Sequence, residues 1–232
     1  MKRFYTRVSI AESDGGWRLL LDGRGVKTAA GAAQVVPTKA MADALAAEWS
    51  AQGETIDPSL FPLRDLADFA IDAIAGAEED TVAGLLPYAE TDTLCYRADP
   101  DEPLHRRQIE VWEPVLTRAE ARFGIHFTRV SGILHKHQPP ETLARLRAQI
   151  AARDPFTLTA LRVLASLSAS LTIALLALEP DADIAALWDA ASLEEEWQAD
   201  LWGRDAEAEA RRERRFEDFA LAARFAGLAQ TD

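Results

Sequence analysis

Val35-Val36-Pro37-Thr38-Lys39-Ala40-Met41-Ala42-Asp43-Ala44-Leu45-Ala46-Ala47-Glu48-Trp49 is the stretch where the chain changes character. Before Pro37, apolar residues recur every second position. After it they recur every third or fourth. Met41, Leu45 and Trp49 are four apart, so they share one face of a helix. Thr38 has the side chain to cap that helix at its N-terminus. Pro37 therefore divides a strand-forming segment from a helix-forming one.

Upstream, five of the twelve glycines fall in the first 37 residues, which predicts short strands joined by turns. Phe4, Thr6, Val8 and Ile10 alternate with Tyr5, Arg7 and Ser9 in a period of two. Ser13-Asp14-Gly15-Gly16 reads as a turn, and residues 17–21 as a second strand. Asp22-Gly23 is a hairpin pair, favoured where both residues need positive φ. Val26-Lys27-Thr28 and Gln34-Val35-Val36 read as two further strands around Ala30-Gly31. The expected result is a small antiparallel meander.

Downstream, a second helix runs from about Leu63, with Leu66, Ala67, Ala70, Ile71 and Ile74 at helical spacing and Gly76 ending it. A third lies between Pro103 and Gly124, with Val111, Trp112, Val115, Ala119 and Phe123 inward. Pro114 kinks it or marks its true start. Ile125, Phe127 and Arg129 alternate with His126 and Thr128, an extended piece. Pro139-Pro140 opens a helix carrying Leu143, Leu146 and Ile150, and Asp154-Pro155 opens another. Residues 163–178 hold no charge, but 16 residues fall short of the roughly 20 that span a bilayer. They predict a buried core helix. The chain beyond Pro180 reads as helix almost throughout. The fold class is α+β: a small N-terminal antiparallel β domain over residues 1–37, with a boundary that could extend to about 60, then a mainly α-helical domain over 38–232.

The formal net charge of -13 repels phosphate backbones and anionic lipid, which argues against nucleic acid and membrane insertion. One cysteine, Cys95, permits neither an intrachain disulfide nor a thiolate zinc cluster. His135 and His137 are two apart, but without a third ligand at regular spacing they define no metal site. Asp22-Gly23-Arg24-Gly25 is a turn and not a dinucleotide fingerprint. No motif predicts a cofactor. Residues 88–97, Tyr88-Ala89-Glu90-Thr91-Asp92-Thr93-Leu94-Cys95-Tyr96-Arg97, are dense in reactive groups. An enzyme would use Asp92 as base and Cys95 as nucleophile. With no histidine near in sequence, the better reading is a half-buried helix whose Arg97 pairs with an acid.

Residues 194–218 are the most unusual stretch, with ten acidic and five basic residues among 25. Glu207–Arg211 and Arg214–Asp218 are expected i,i+4 pairs. Trp197 and Trp202 stand among these charges, one expected in the core and one at a surface edge suited to binding.

An ordered series of short motifs carries a resemblance. It comprises Arg3-Phe4-Tyr5, Leu21-Asp22-Gly23-Arg24, Val26-Lys27-Thr28, Pro37-Thr38, Glu48-Trp49, Ala51-Gln52, Ile56-Asp57-Pro58 and Pro62-Leu63. It continues through Tyr88-Ala89-Glu90-Thr91-Asp92, Cys95-Tyr96-Arg97-Ala98, Gln108 with Trp112, and Glu195, Trp197, Gln198, Trp202-Gly203 and Asp205. Together they resemble the ATP-twelve family of F(1)-ATPase assembly chaperones. Departures are modest: Gly25 and Ala29 where the family has proline, Ala169-Ser170 where it has glycine-serine, Glu194 and Glu196 where it has aspartate. The resemblance implies two domains, no catalysis and no cofactor. It implies a client, the free α subunit of F(1)-ATPase; the chaperone itself is expected to be a monomer when free. Glu195, Gln198 and Trp202 are the expected client-binding residues. The start, Met1-Lys2-Arg3-Phe4-Tyr5, has neither a signal peptide's apolar run nor a presequence helix, which predicts a bacterial-type cytoplasmic protein. A mitochondrial matrix relative fits only where a presequence has been removed. The competing reading is a small-molecule enzyme built around Asp92, Cys95 and Arg97.

Overall fold

The computed structural model describes residues 1–132 and 134–230. It has a small N-terminal antiparallel sheet and a mostly helical remainder, 61% helical in all. Its contacts define two compact units. The first is Met1–Glu78 with Asp154–Ala160 and the residues from Arg224 onward; the second is Glu79–Arg153 with Leu161–Ala223.

In the first unit, β1 (Val8–Ser13) and β2 (Gly16–Leu21) pair from Val8↔Leu21 to Ser13↔Gly16, so Asp14-Gly15 is a two-residue hairpin loop. Asp22 and Gly23 take φ of 48° and 81°, the two positive values that such a tight turn requires. They lead into β3 (Arg24–Gly25). The expected meander needs correction. Both β3 and β4 (Val35–Val36) pair with β2, through Leu20↔Gly25 and Trp17↔Val36. They occupy successive lengths of one edge, so β2 is central. Val26-Lys27-Thr28 and Gln34 form no long strands because the chain doubles back on itself. Thr28 N–H donates to Ala32 O at 3.0 Å, and only Lys27↔Ala33 forms a bridge.

Thr38 caps α1 (Lys39–Ser50), its hydroxyl oxygen accepting from Met41 N–H at 3.1 Å. Met41, Leu45 and Trp49 are buried along one face, as their spacing predicts. Trp49 joins Tyr5, Leu19, Leu21, Val26, Ile56 and Phe61 in the core beneath the sheet. Tyr5 is inward and donates its hydroxyl to Trp49 O at 2.6 Å, while Phe4 is exposed. The Glu48 carboxylate accepts from Leu63 and Arg64 N–H at 2.7 and 2.9 Å, capping α2 (Pro62–Phe69). That helix continues as a wider turn over Ala70–Ile74 and stops at Gly76, whose φ is +87°.

The second unit is built on α3 (Glu78–Leu85), α4 (Pro87–Glu90), α5 (Pro103–Phe123) and α6 (Pro140–Ala151). They are followed by α7 (Pro155–Ser168), α8 (Leu171–Leu176), α9 (Ile184–Ala191), α10 (Leu193–Trp202) and α11 (Ala206–Gln230). Glu78 at the start of α3, the first residues of α7 and the last of α11 belong to the first unit. Helix α5 runs through Pro114 without starting there, and its buried stripe is Gln108, Trp112, Leu116, Ala119 and Phe123. Val111 and Val115 are only half-buried.

Two expectations fail here. Residues 88–97 are not one helix. Helix α4 ends at Glu90, a 3-10 turn covers Thr93–Cys95, and β5 (Tyr96–Arg97) pairs in parallel with β6 (Val130–Ser131). Nor is 163–178 a single helix. Ala169 takes a left-handed φ of 49°, and Ser170 starts α8 by accepting from Ile173 N–H at 3.0 Å. No helix among the described residues is long and apolar enough to cross a membrane.

Candidate client-binding site

Helix α10 opens with three acids, Glu194, Glu195 and Glu196, where the helix dipole favours negative charge. Each has its own partner. Glu194 accepts from Gln108 Nε2 at 2.6 Å, which fixes the start of α10 to α5. Glu196 pairs with Arg212 at 2.6 Å and Arg204 at 3.0 Å. Glu195 meets Arg215 at 3.0 Å through one oxygen and 3.3 Å through the other. Arg215 is itself held, its Nη2 donating to Leu167 O at 2.9 Å and its guanidinium lying 5.4 Å from the Trp188 ring centroid.

The expected Glu207–Arg211 and Arg214–Asp218 pairs are not among the ion pairs of the described residues. Arg212 and Arg215 carry the pairing because α11 turns them towards α9 and α10. Gly203, at φ 98°, ends α10, and Asp205 caps α11 by accepting from Ala208 N–H at 2.8 Å. The chain reversal leaves Trp202 80% exposed and Leu201 62% exposed, while Trp197 is half-buried.

Glu195, Gln198 and Trp202 come together. With Ala199, Ala208 and Arg212 among their neighbours they line a recess of about 250 Å³ between α10 and α11. That is below the usual range of roughly 300–1,000 Å³ for a small-molecule pocket. It suits one side chain of a protein partner. An exposed indole beside charged groups is the composition of a binding hot spot. Sequence reasoning missed Leu201, whose exposure was hidden by its helical spacing from Trp197, and Arg215, which gave no signal apart from the charge run.

Asp92, Cys95 and Arg97 have a different role. Asp92 is fully buried and accepts from Ser170 Oγ at 2.7 Å, Thr172 N–H at 2.9 Å and Leu94 N–H at 3.1 Å. It thus ties the 3-10 turn to the start of α8. Burial pushes its carboxyl above the ordinary aspartate value, against the downward pull of those hydrogen bonds. Cys95 is equally buried; burial first, and the Asp92 carboxylate second, push its thiol far up. A thiol held protonated is a poor nucleophile. Arg97 pairs with Glu113 at 2.5 Å. Burial raises Glu113, but hydrogen bonds from Arg129 and Arg97 outweigh it and leave the carboxyl below its usual value. Asp92, Cys95 and Arg97 thus lie buried in a packing network.

The sequence model of the ATP12 chaperone protein family matches residues 2–120, just over half of the chain. The chain belongs to that family. Protein atp12, mitochondrial, from Schizosaccharomyces pombe is 25% identical over 215 residues, which cover 87% of this chain and 74% of the relative. The solved structure of Atp12 from Paracoccus denitrificans is 38% identical, with a TM-score of 0.95, and covers 99% of this chain and 98% of that one. A point mutant of the same P. denitrificans protein matches equally well. The Atu1473 protein of Agrobacterium tumefaciens is 36% identical with a TM-score of 0.92, over 97% of this chain and 85% of that one. As an ATP12-family member the chain is a chaperone, and its two-unit α+β architecture is shared with these structures.

Proposed function

We propose that this ATP12-family chaperone binds the free α subunit of F(1)-ATPase and shields its subunit interface until the ATP synthase head assembles. The observation that carries the reading is the exposed Leu201-Trp202 pair beside the Glu195–Gln198 recess. An unassembled α subunit would expose apolar surface that aggregates until a β subunit covers it. A shallow aromatic and acidic surface can cover part of that area and still yield to the true partner. The compartment is then the one in which heads are built: the cytoplasm for a bacterial-type chain, the matrix for a mitochondrial one.

The test is co-expression of the tagged chaperone with the α subunit alone, the β subunit alone, or both. Capture of α alone, with release when β is supplied, is the expected result. Capture of β in preference to α, or of neither, overturns the proposal. The enzyme alternative gains nothing from Asp92, Cys95 and Arg97, since all three are buried, with Asp92 hydrogen-bonded and Arg97 ion-paired within the fold.

A further inference from the structure

We propose that Glu90, His135 and His137 form a binding site for one divalent transition-metal ion of the zinc class. Spacing alone offered two imidazoles and no third ligand. The fold supplies the third from the end of α4. One ligand atom from each of the three residues lies within 4.8 Å of the others. His137 Nδ1 is 2.6 Å from Glu90 Oε1, and His135 Nε2 is 3.5 Å from the same oxygen. The two imidazole rings meet edge to face at 4.8 Å.

The surroundings orient these ligands. His135 Nδ1 lies 2.8 Å from the Tyr96 hydroxyl, and that hydroxyl can donate onward to Lys136 O at 3.4 Å. The tyrosine oxygen then accepts from Nδ1–H. This leaves Nε2, the atom nearer Glu90, with its lone pair free. The His135 ring also stacks on Tyr96 with planes 7° apart. The other oxygen of Glu90 accepts from Gln138 N–H at 3.2 Å, which fixes the carboxylate. Such outer hydrogen bonds set tautomer and aim in metal sites generally. Zinc bonds of roughly 2.0–2.2 Å in tetrahedral geometry place ligand atoms a little over 3 Å apart. The His135–Glu90 separation fits this spacing. The shorter His137–Glu90 hydrogen bond would open as the ion replaces its proton, and His137, 87% exposed, is free to move.

Two imidazoles and one carboxylate favour zinc, cobalt, nickel or copper over magnesium or calcium, which prefer all-oxygen shells. Three protein ligands leave one position open to solvent or to a partner's side chain. The ion would join the loop carrying His135 and His137 to α4. It would do so beside an open apolar recess of about 530 Å³, lined by Ala83, Leu86, Pro87 and Leu143 together with Glu90 and His137. Glu90 and Tyr96 lie in the two central motifs of the sequence, and the chaperone reading gives neither a task.

The test is calorimetric titration of the untagged, chelator-treated full chain with zinc chloride, paralleled by cobalt(II) absorption spectra. One ion per chain is expected, with cobalt bands of a low-coordinate site. Glu90→Gln, His135→Ala and His137→Ala should each weaken binding by on the order of tenfold or more, and Tyr96→Phe by about tenfold. His105→Ala and His126→Ala, the other two histidines, should leave it unchanged. Melting curves without metal establish that each variant is folded. Fractional stoichiometry overturns the proposal. So does an affinity that Glu90→Gln leaves intact, or equal losses from His105→Ala or His126→Ala.

Discussion

Reversing the charge at Glu195 separates a contact role from a folding role. Its carboxylate meets Arg215 through two short approaches, 3.0 and 3.3 Å, yet is 57% exposed, and Arg215 is 36% exposed. A pair so open to water contributes about 0.2–1 kcal/mol. Glu195→Lys removes that and sets a cation against Arg215. Arg215 cannot readily turn away, because Leu167 O and the Trp188 ring hold it. Repulsion at such a distance in a near-aqueous medium adds about 1 kcal/mol. The total, about 1–2 kcal/mol, corresponds to a melting temperature lowered by about 2–8 °C at this chain length. The protein stays folded at 25 °C. Circular dichroism melting is paired with recovery of the α subunit on the tagged chaperone, and the neutral variant Glu195→Gln, which leaves the Arg215 bond to Leu167 O in place, is the control. If Glu195 touches the client, Glu195→Gln keeps most of the melting temperature but loses α capture. Retention of both by Glu195→Gln, with α capture by Glu195→Lys falling only as its melting temperature does, would show that Glu195 serves only the fold. A single variant that still captures α at the native level would remove it from the site.

Trp202→Ala should change stability by under about 0.5 kcal/mol, as at other exposed positions, and should reduce α capture in the same assay. Asp92→Ala leaves Ser170 Oγ, Thr172 N–H and Leu94 N–H without their acceptor, and should cost about 3 kcal/mol or more in urea unfolding. The folded state raises the Asp92 carboxyl above 3.8, so it binds that proton more tightly than the unfolded state does. The resulting stability is full below about pH 3.8 and is lost as pH rises through the folded value; Asp92→Asn should remove that part of the slope. Cys95 should resist aqueous thiol reagents at pH 8 in the native protein and react at once in denaturant, since burial hides it and holds it protonated.

The switch at Pro37 was legible because period two and period 3.6 differ over a dozen residues, and Thr38 and Asp22-Gly23 act through strictly local geometry. What stayed hidden depends on distant partners. Strands β5 and β6 are two residues each, too short for any periodicity, and their pairing joins positions 34 apart, as in Tyr96↔Val130. The break at Ala169 sits inside an uncharged run and has no local marker in this chain. The family's glycine at that position was the available clue, because glycine tolerates the left-handed φ of 49° that Ala169 adopts. Gln108 and Trp112 stood out as a motif without a role. Gln108 accepts from Ala98 N–H and donates to Glu194, and Trp112 donates to Ala190 O, so both organise the helices around α5.

The same accounting sorts the remaining motif residues. Where a polar side chain is committed to backbone groups, folding alone explains why the residue type is needed. Arg3 donates to Tyr5 O and Gln52 O, Asp22 accepts from Arg7 N–H, Glu48 caps α2, Gln52 accepts from Asp57 N–H, and Asp205 caps α11. Asp92 joins them through Thr172 and Leu94. Glu195, Gln198 and Trp202 do not fit this group. The Glu195 carboxylate is 57% exposed beside a half-buried arginine, Gln198 faces solvent, and Trp202 holds a large apolar ring in water. Folding gains nothing from keeping an indole exposed, since its burial would stabilise the chain. A partner gains from it, because the ring is already positioned on α10 beside a recess and little ordering is left to do on contact. Folding therefore leaves these three residues open to the client contact proposed for them. Glu90 and Tyr96 lie elsewhere in the same unit, where the proposed metal site would give their placement a reason.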